Sequence, residues 1–269
     1  MISPQIGVCS WSLRPSDPKA LALDLQNCGV DAVQLAIGPV SENPVWECCQ
    51  SILSDSEVKI LSGMFAPVGE DYSTLATIAI TGGVRQDATW SETLESAKRT
   101  AVIASDMELT LVTFHAGFLP HDASSERTKM LDRLRQIADI FEAFAIKTAF
   151  ETGQETATVL SEVLDELAHP NVGVNFDPAN IILYGKGDPV EAITVLEPWV
   201  RQVHIKDAVA TKVSGTWGTE VVVGTGDVDW KSFLAAVPEG VDLIIERETG
   251  DDRVGDIQKA ITFLEKQGC

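Results

Sequence analysis

Four short apolar runs of this chain end in an ionisable side chain: Phe150-Glu151, Phe176-Asp177, Val203-His204 and Ile245-Glu246. Three carboxylates and one imidazole are the donor set of a hard or borderline divalent cation, with coordination positions left for substrate oxygens. A single carboxylate at a strand end is more often solvated or a helix cap, and a single histidine is more often structural. Four of them on four successive strand ends point to one site, with Glu151, Asp177, His204 and Glu246 as metal ligands and His204 as the only nitrogen donor. Lys206 shares strand parity with His204 and is expected to point inward and polarise an oxygen, although a salt bridge would explain it equally well. Asp207 has the opposite parity and is expected to anchor the following loop. Glu248 shares parity with Glu246 but lies past the strand, and it stays outside the proposed set. His115 ends another run, Phe114-His115-Ala116-Gly117, as a candidate partner for a substrate hydroxyl. Trp11 and Phe65 are candidates for an apolar wall against a sugar face, with ordinary packing as the plainer reading.

The elements that would hold these residues alternate. Strands are expected over 6–10, 31–37, 58–64, 109–115, 146–151, 172–177, 200–206 and 241–246, each followed by a helical segment. The clearest helices are 18–28, with Asp17 as N-cap and Gly29 as stop, and 124–143, with apolar residues at helical spacing. A helix over 43–54 opens at Asn43-Pro44, and one over 91–106 opens at Ser91. Strict alternation implies parallel strands with crossover helices, and eight units in 269 residues fit a closed (β/α)8 TIM barrel as a single domain, 1–269. No GxGxxG follows the first strand, where an open doubly wound sheet would carry it. In a barrel the strand C-termini share one face, and neighbouring strands lie about 5 Å apart, so the four ligands can reach a common point. Two long connections, 65–90 and 208–227, are expected to form a lid or substrate loop, the first with a short helix near 73–80.

Net charge is −20, which disfavours nucleic acid as a partner. No apolar run approaches the roughly 18 residues of a membrane span, and no signal segment is evident, so the expectation is a cytoplasmic protein. Five cysteines without CxxC spacing read as free thiols, with Cys48-Cys49 on a half-buried helix face.

The pieces Phe150-Glu151, Phe176-Asp177-Pro178-Ala179-Asn180, His204-Ile205-Lys206-Asp207, Gly224-Thr225-Gly226-Asp227-Val228-Asp229-Trp230 and Ile245-Glu246 occur in an order and spacing that resembles the xylose isomerase-like TIM barrels, also called the sugar phosphate isomerase/epimerase superfamily. The resemblance runs nearly end to end. It implies one bound divalent ion, Mn2+ first, with Mg2+, Co2+ or Zn2+ as substitutes, and Glu151 and Glu246 as an acid/base pair. The implied activity is isomerisation or epimerisation of a sugar or related polyol ketone through an enediolate. A small-molecule sugar is the expected partner, and relatives are often dimers or tetramers, so a homodimer or homotetramer is expected.

This chain departs from the ketose 3-epimerase branch at three points. Asn180 stands where a histidine is usual, no arginine follows Lys206, and Gln34 replaces a frequent glutamate. Asn180 is therefore a candidate substrate contact, and the substrate is expected to differ from that of those enzymes. A dehydratase or lyase on a keto-sugar or inosose would use the same metal site. A non-catalytic sugar-binding barrel is the alternative of a different class, against which the two glutamates argue. DNA-repair endonucleases of the superfamily need many histidines for three zinc ions, and this acidic chain has four histidines.

Overall fold

A computed structural model describes residues 4–268. Eight parallel strands close into a barrel: β1 (Ile6–Cys9), β2 (Ala32–Ala36), β3 (Lys59–Met64), β4 (Leu111–Phe114), β5 (Lys147–Glu151), β6 (Val172–Phe176), β7 (Val200–Ile205) and, after a hairpin of β8 (Asp207–Val209) and β9 (Thr219–Val221), β10 (Asp242–Ile245). The order around the barrel is β1-β10-β7-β6-β5-β4-β3-β2, with helices outside. This is the expected (β/α)8 barrel. Among the described residues no helix is long and apolar enough to cross a membrane.

Local chemistry explains the element ends. The Asp17 carboxylate accepts from the backbone N–H groups of Lys19 and Ala20, both at 2.9 Å, and Pro18 occupies the first helical position. Gly29 closes that helix at φ 82°. Ser124 caps the helix Ser125–Glu142. Two expectations need correction. The helix expected from Ser91 runs Asp87–Asp106, because Asp87 begins it and is held by Arg133 (2.6 Å) and Lys129 (3.0 Å). The single helix expected over 43–54 is broken into Ile37–Glu42, a 3-10 turn Pro44–Trp46 and Cys49–Asp55. Pro44 cannot donate to the preceding turn, and Cys48 leaves the helical region.

The space between barrel and helices is apolar and rich in phenylalanine. Phe114 packs edge-on to Phe65 and Phe150, with centroids 5.8 and 5.3 Å away, and Phe141 of the helix Ser125–Glu142 closes the group. The barrel interior is different. Ser62 donates to Gln202 (2.5 Å), Gln202 to Asn175 (3.1 Å), and Gln34 to Thr113 (2.7 Å), all fully buried or nearly so. Burial of so many polar groups is tolerable because each has a partner. Cys9, Cys28 and Cys49 are buried free thiols and Cys48 is an exposed one. Cys269 lies outside the described residues.

The expected loop over 208–227 contains the β8–β9 hairpin, and Asp207 anchors it. Its buried carboxylate accepts from the backbone of Ala208 (2.9 Å), Gly224 (2.9 Å) and Gly226 (3.0 Å) and from the Trp230 indole (2.9 Å). Asp207→Ala would leave these donors unpaired at about 1–3 kcal/mol each if none were rehydrated. A loss of about 3 kcal/mol or more in urea denaturation is the expected result.

Candidate metal centre and substrate cavity

The four expected ligands meet at the C-terminal face of the barrel. Glu151 is the last residue of β5, and His204 is the last but one of β7. Asp177 and Glu246 each follow their strand by one residue. One donor atom from each lies within 4.8 Å of all the others. His204 Nδ1 is 3.4 Å from Glu246 Oε2, 3.7 Å from Glu151 Oε1 and 3.9 Å from Asp177 Oδ2.

Three observations fit this donor set to a divalent cation. His204 Nδ1 and Asp177 Oδ2 are buried and have no hydrogen-bond partner. The other oxygen of Asp177 is already used, capping the helix Pro178–Leu183 at Asn180 N. The opposite ring nitrogen, His204 Nε2, sits 2.8 Å from Gln34 Oε1, a contact that orients the ring with Nδ1 facing the carboxylates. Gln34 is itself fixed by Thr113. The Asn175 carboxamide, 3.0 Å from the same nitrogen, also reaches Glu151 Oε2 at 3.4 Å.

The two glutamates sit in opposite electrostatic surroundings. Burial pushes the Glu151 carboxyl up to about 8. The His204 charge opposes this, and the Glu246 and Asp177 charges reinforce it. Burial acts on Glu246 too, but the Lys206 ammonium and the His204 ring outweigh it and hold Glu246 well below the usual carboxylate range. Glu246 is also oriented from two sides: the Trp11 indole donates to Oε1 at 2.6 Å and Lys206 Nζ to Oε2 at 2.9 Å.

Lys206 does point inward, and its ammonium also reaches Glu248 Oε2 (2.5 Å) and lies 3.6 Å from Asp177 Oδ2. The salt-bridge reading and the inward reading therefore hold together. Glu248, left out on sequence grounds, belongs to the cavity wall. The chain beyond β10 is held in place because Glu220 of β9 accepts from the backbone of Glu248 (3.0 Å) and Thr249 (3.1 Å) and from Arg247 Nη1 (2.7 Å). The shared parity with Glu246 was the available signal. Asn180 donates to Glu151 Oε1 at 2.9 Å and receives Lys206 at 3.4 Å, joining the two sides of the site.

The site opens into a cavity of about 780 Å³. Trp11 and His115 line it. His115 Nε2 is 3.9 Å from Glu151 Oε2, and its Nδ1 is buried without a partner. Neither Phe65 nor Lys206 is among the residues lining the cavity; Lys206 lies beneath the wall, and Phe65 is directed away. Phe65 is 2% exposed and packs outside the barrel, because Met64 and Ala66 on either side of it face the cavity. Tyr72, Tyr184 and Trp217 also line the cavity and carry no motif that the sequence would expose. His169 lies on the outer side, beside Asp139 at 3.2 Å.

Residues 23–267 match the family model described as xylose isomerase-like TIM barrel. No curated protein matches the sequence significantly. Among solved structures, a xylose isomerase domain protein from Planctomyces limnophilus is 27% identical, with a TM-score of 0.88 over 99% of this chain and 98% of that one. The probable 3-DHS dehydratase AsbF of Bacillus anthracis, involved in petrobactin synthesis, is 18% identical with a TM-score of 0.76, covering 97% and 98%. A D-allulose 3-epimerase from Methylomonas sp. is 15% identical with a TM-score of 0.71, covering 98% of each.

Proposed function

The chain belongs to the xylose isomerase-like TIM barrel family, and we propose that it is a divalent-metal-dependent isomerase or epimerase of a sugar or related polyol ketone. Glu151, Asp177, His204 and Glu246 would hold the ion, with Mn2+ first and Mg2+, Co2+ or Zn2+ as substitutes. When bound, it would supply Lewis acidity for the negative charge that develops on the substrate's carbonyl and hydroxyl oxygens.

One observation carries the reading: two buried glutamates from different strands, each oriented by its own hydrogen bonds, converge on the same point. A proton α to a carbonyl needs a base already ionised and a donor already protonated on the far side. Glu246, kept ionised by Lys206 and fixed by Trp11, takes the proton. Glu151 returns one to the opposite face, which inverts the carbon. Asn180 and Asn175 hold the Glu151 carboxyl in line. For the reverse epimer the two residues exchange roles. His115 supplies a hydrogen bond to a substrate oxygen, whereas Lys206, expected to do the same, is enclosed by Asp177, Glu246 and Glu248 and positions Glu246 instead.

The direct test is proton exchange in D2O. Protein loaded with Mn2+ is expected to wash deuterium into the α-carbon of a keto-sugar and to generate its epimer or isomer, with no change of mass beyond the label. The same enediolate can expel a β-hydroxyl, as a dehydratase requires, and AsbF is similar in fold. Loss of the mass of water from the substrate would replace the isomerase reading with that one. Absence of exchange in every keto-sugar would overturn both.

A further inference from the structure

We propose that the mouth of the catalytic cavity is a second-ring subsite formed by Tyr72, Tyr184 and Trp217, and that the substrate is an uncharged keto-glycoside. The assignment of a keto group rests on the isomerase reading above, whereas the subsite rests on the cavity alone.

Charge excludes the common alternative. Glu70, Glu151, Glu220, Glu246 and Glu248 all line the cavity, and none of the described lining residues is a lysine or arginine. Lys206, the nearest cation beneath the wall, is held between Glu246 and Glu248. Arg247 is turned to Glu220 and Asp256. Away from the proposed metal position, a phosphate or carboxylate on the substrate would meet a wall with five acids and no free lysine or arginine.

Size and layout point to more than one ring. A cavity of about 780 Å³ takes a ligand well beyond a single hexose. The groups that could do chemistry converge at its base, while its mouth is aromatic. Trp217 meets Tyr184 edge-on with centroids 4.7 Å apart, and Phe118 backs Tyr184 at 5.8 Å. Tyr72 is 44% exposed, and its ring stands 5.8 Å from that of His115. Rigid aromatic faces of this kind offer large contact area at small entropic cost and suit the C–H face of a sugar or an aryl ring.

The position of Trp217 is set by backbone contacts. Gly218 N donates to Leu183 O at 3.0 Å, which seats the hairpin loop on the helix Pro178–Leu183. A Cβ at Gly218 would meet Val209 O at 2.7 Å and Leu183 Cα at 3.1 Å, so this close approach requires glycine. Because the anomeric carbon of a glycoside is occupied, the ketone must lie on another ring carbon. Such a ring would sit at the base, with its aglycone between Trp217 and Tyr72.

The test compares, with the Mn2+-loaded full chain in D2O, phenyl and methyl β-D-glucosides oxidised to the ketone at C3, D-fructose and D-fructose 6-phosphate. Exchange is expected to fall in that order, with kcat/KM for the phenyl compound about tenfold or more above fructose, the scale of one well-packed ring contact. Trp217→Ala is expected to shrink that ratio several-fold, chiefly through KM, and Trp217→Phe to retain it. Equal or faster exchange of fructose or its phosphate would overturn the proposal, as would an unchanged ratio in Trp217→Ala. Quenching of tryptophan fluorescence by unreactive phenyl β-D-glucoside separates the two readings. Saturable quenching with no exchange of any ketone would keep the subsite and overturn the enediolate chemistry. Exchange without glycoside preference would do the reverse.

Discussion

Glu246→Gln is expected to cut solvent-deuterium exchange by about 10²–10⁴-fold for the epimer whose α-proton faces it, the usual worth of a positioned general base. The fold should survive. Glutamine keeps an oxygen for the Trp11 indole, and Lys206 retains Glu248 as a counter-charge. Metal binding should weaken without vanishing, because Glu151, Asp177 and His204 remain, so exchange is measured at saturating Mn2+ with calorimetry as the control. Glu151→Gln separates the roles further. For that same epimer, Glu246 can still remove and return the proton on its own face, so exchange continues while epimerisation stops. Exchange within tenfold of wild type in Glu246→Gln would move the base elsewhere. Loss of exchange from both epimers in one variant, with exchange retained in the other, would favour a single-base isomerase over two-base epimerisation.

The barrel and the meeting of the four candidate ligands were legible in the sequence for one physical reason. A buried parallel strand is a short apolar run, and the first polar residue after it lies at the mouth of the barrel, where an acid or histidine stands out against Phe, Val and Ile. What lies inside the barrel was less legible. Gln34 and Asn175 sit where the register of β2 against β3 and of β6 against β7 shifts. Nothing in a two-residue alternation announces that they will meet His204 from two directions. Phe65 failed for a related reason: an aromatic just past a strand can face the cavity or the helices, and only the inward parity of Met64 and Ala66 decides it. Glu248 depended on a partner in another element, since Glu220 from the hairpin holds its backbone in place. Tyr72, Tyr184 and Trp217 come from three separate connections, and their convergence is a property of the closed barrel alone.

Mn2+ at about 1,000 times its dissociation constant is expected to raise the melting temperature by about 8 °C or more. A ligand that binds only the folded chain at that excess adds about 4 kcal/mol, and each kcal/mol is worth roughly 2–4 °C for a chain of this size. Asp177→Asn is expected to abolish most of that shift while leaving the metal-free melting temperature within about 3 °C. The contrast follows from the two oxygens of Asp177. Oδ1 accepts from Asn180 N to cap the helix Pro178–Leu183, and an asparagine oxygen performs that task nearly as well. Oδ2 is buried with no hydrogen-bond partner, so in the absence of a cation its charge is compensated only by Lys206 at 3.6 Å and His204 at 3.9 Å. Removing that charge relieves repulsion toward Glu151 and Glu246 even as it removes a ligand. A purely structural carboxylate would behave in the opposite way, lowering the metal-free melting temperature and leaving any effect of Mn2+ intact. Scanning calorimetry of the two proteins, each after chelation and after reloading, distinguishes the outcomes. A drop of more than about 6 °C in the metal-free variant, together with an unchanged Mn2+ shift, would remove Asp177 from the ligand set.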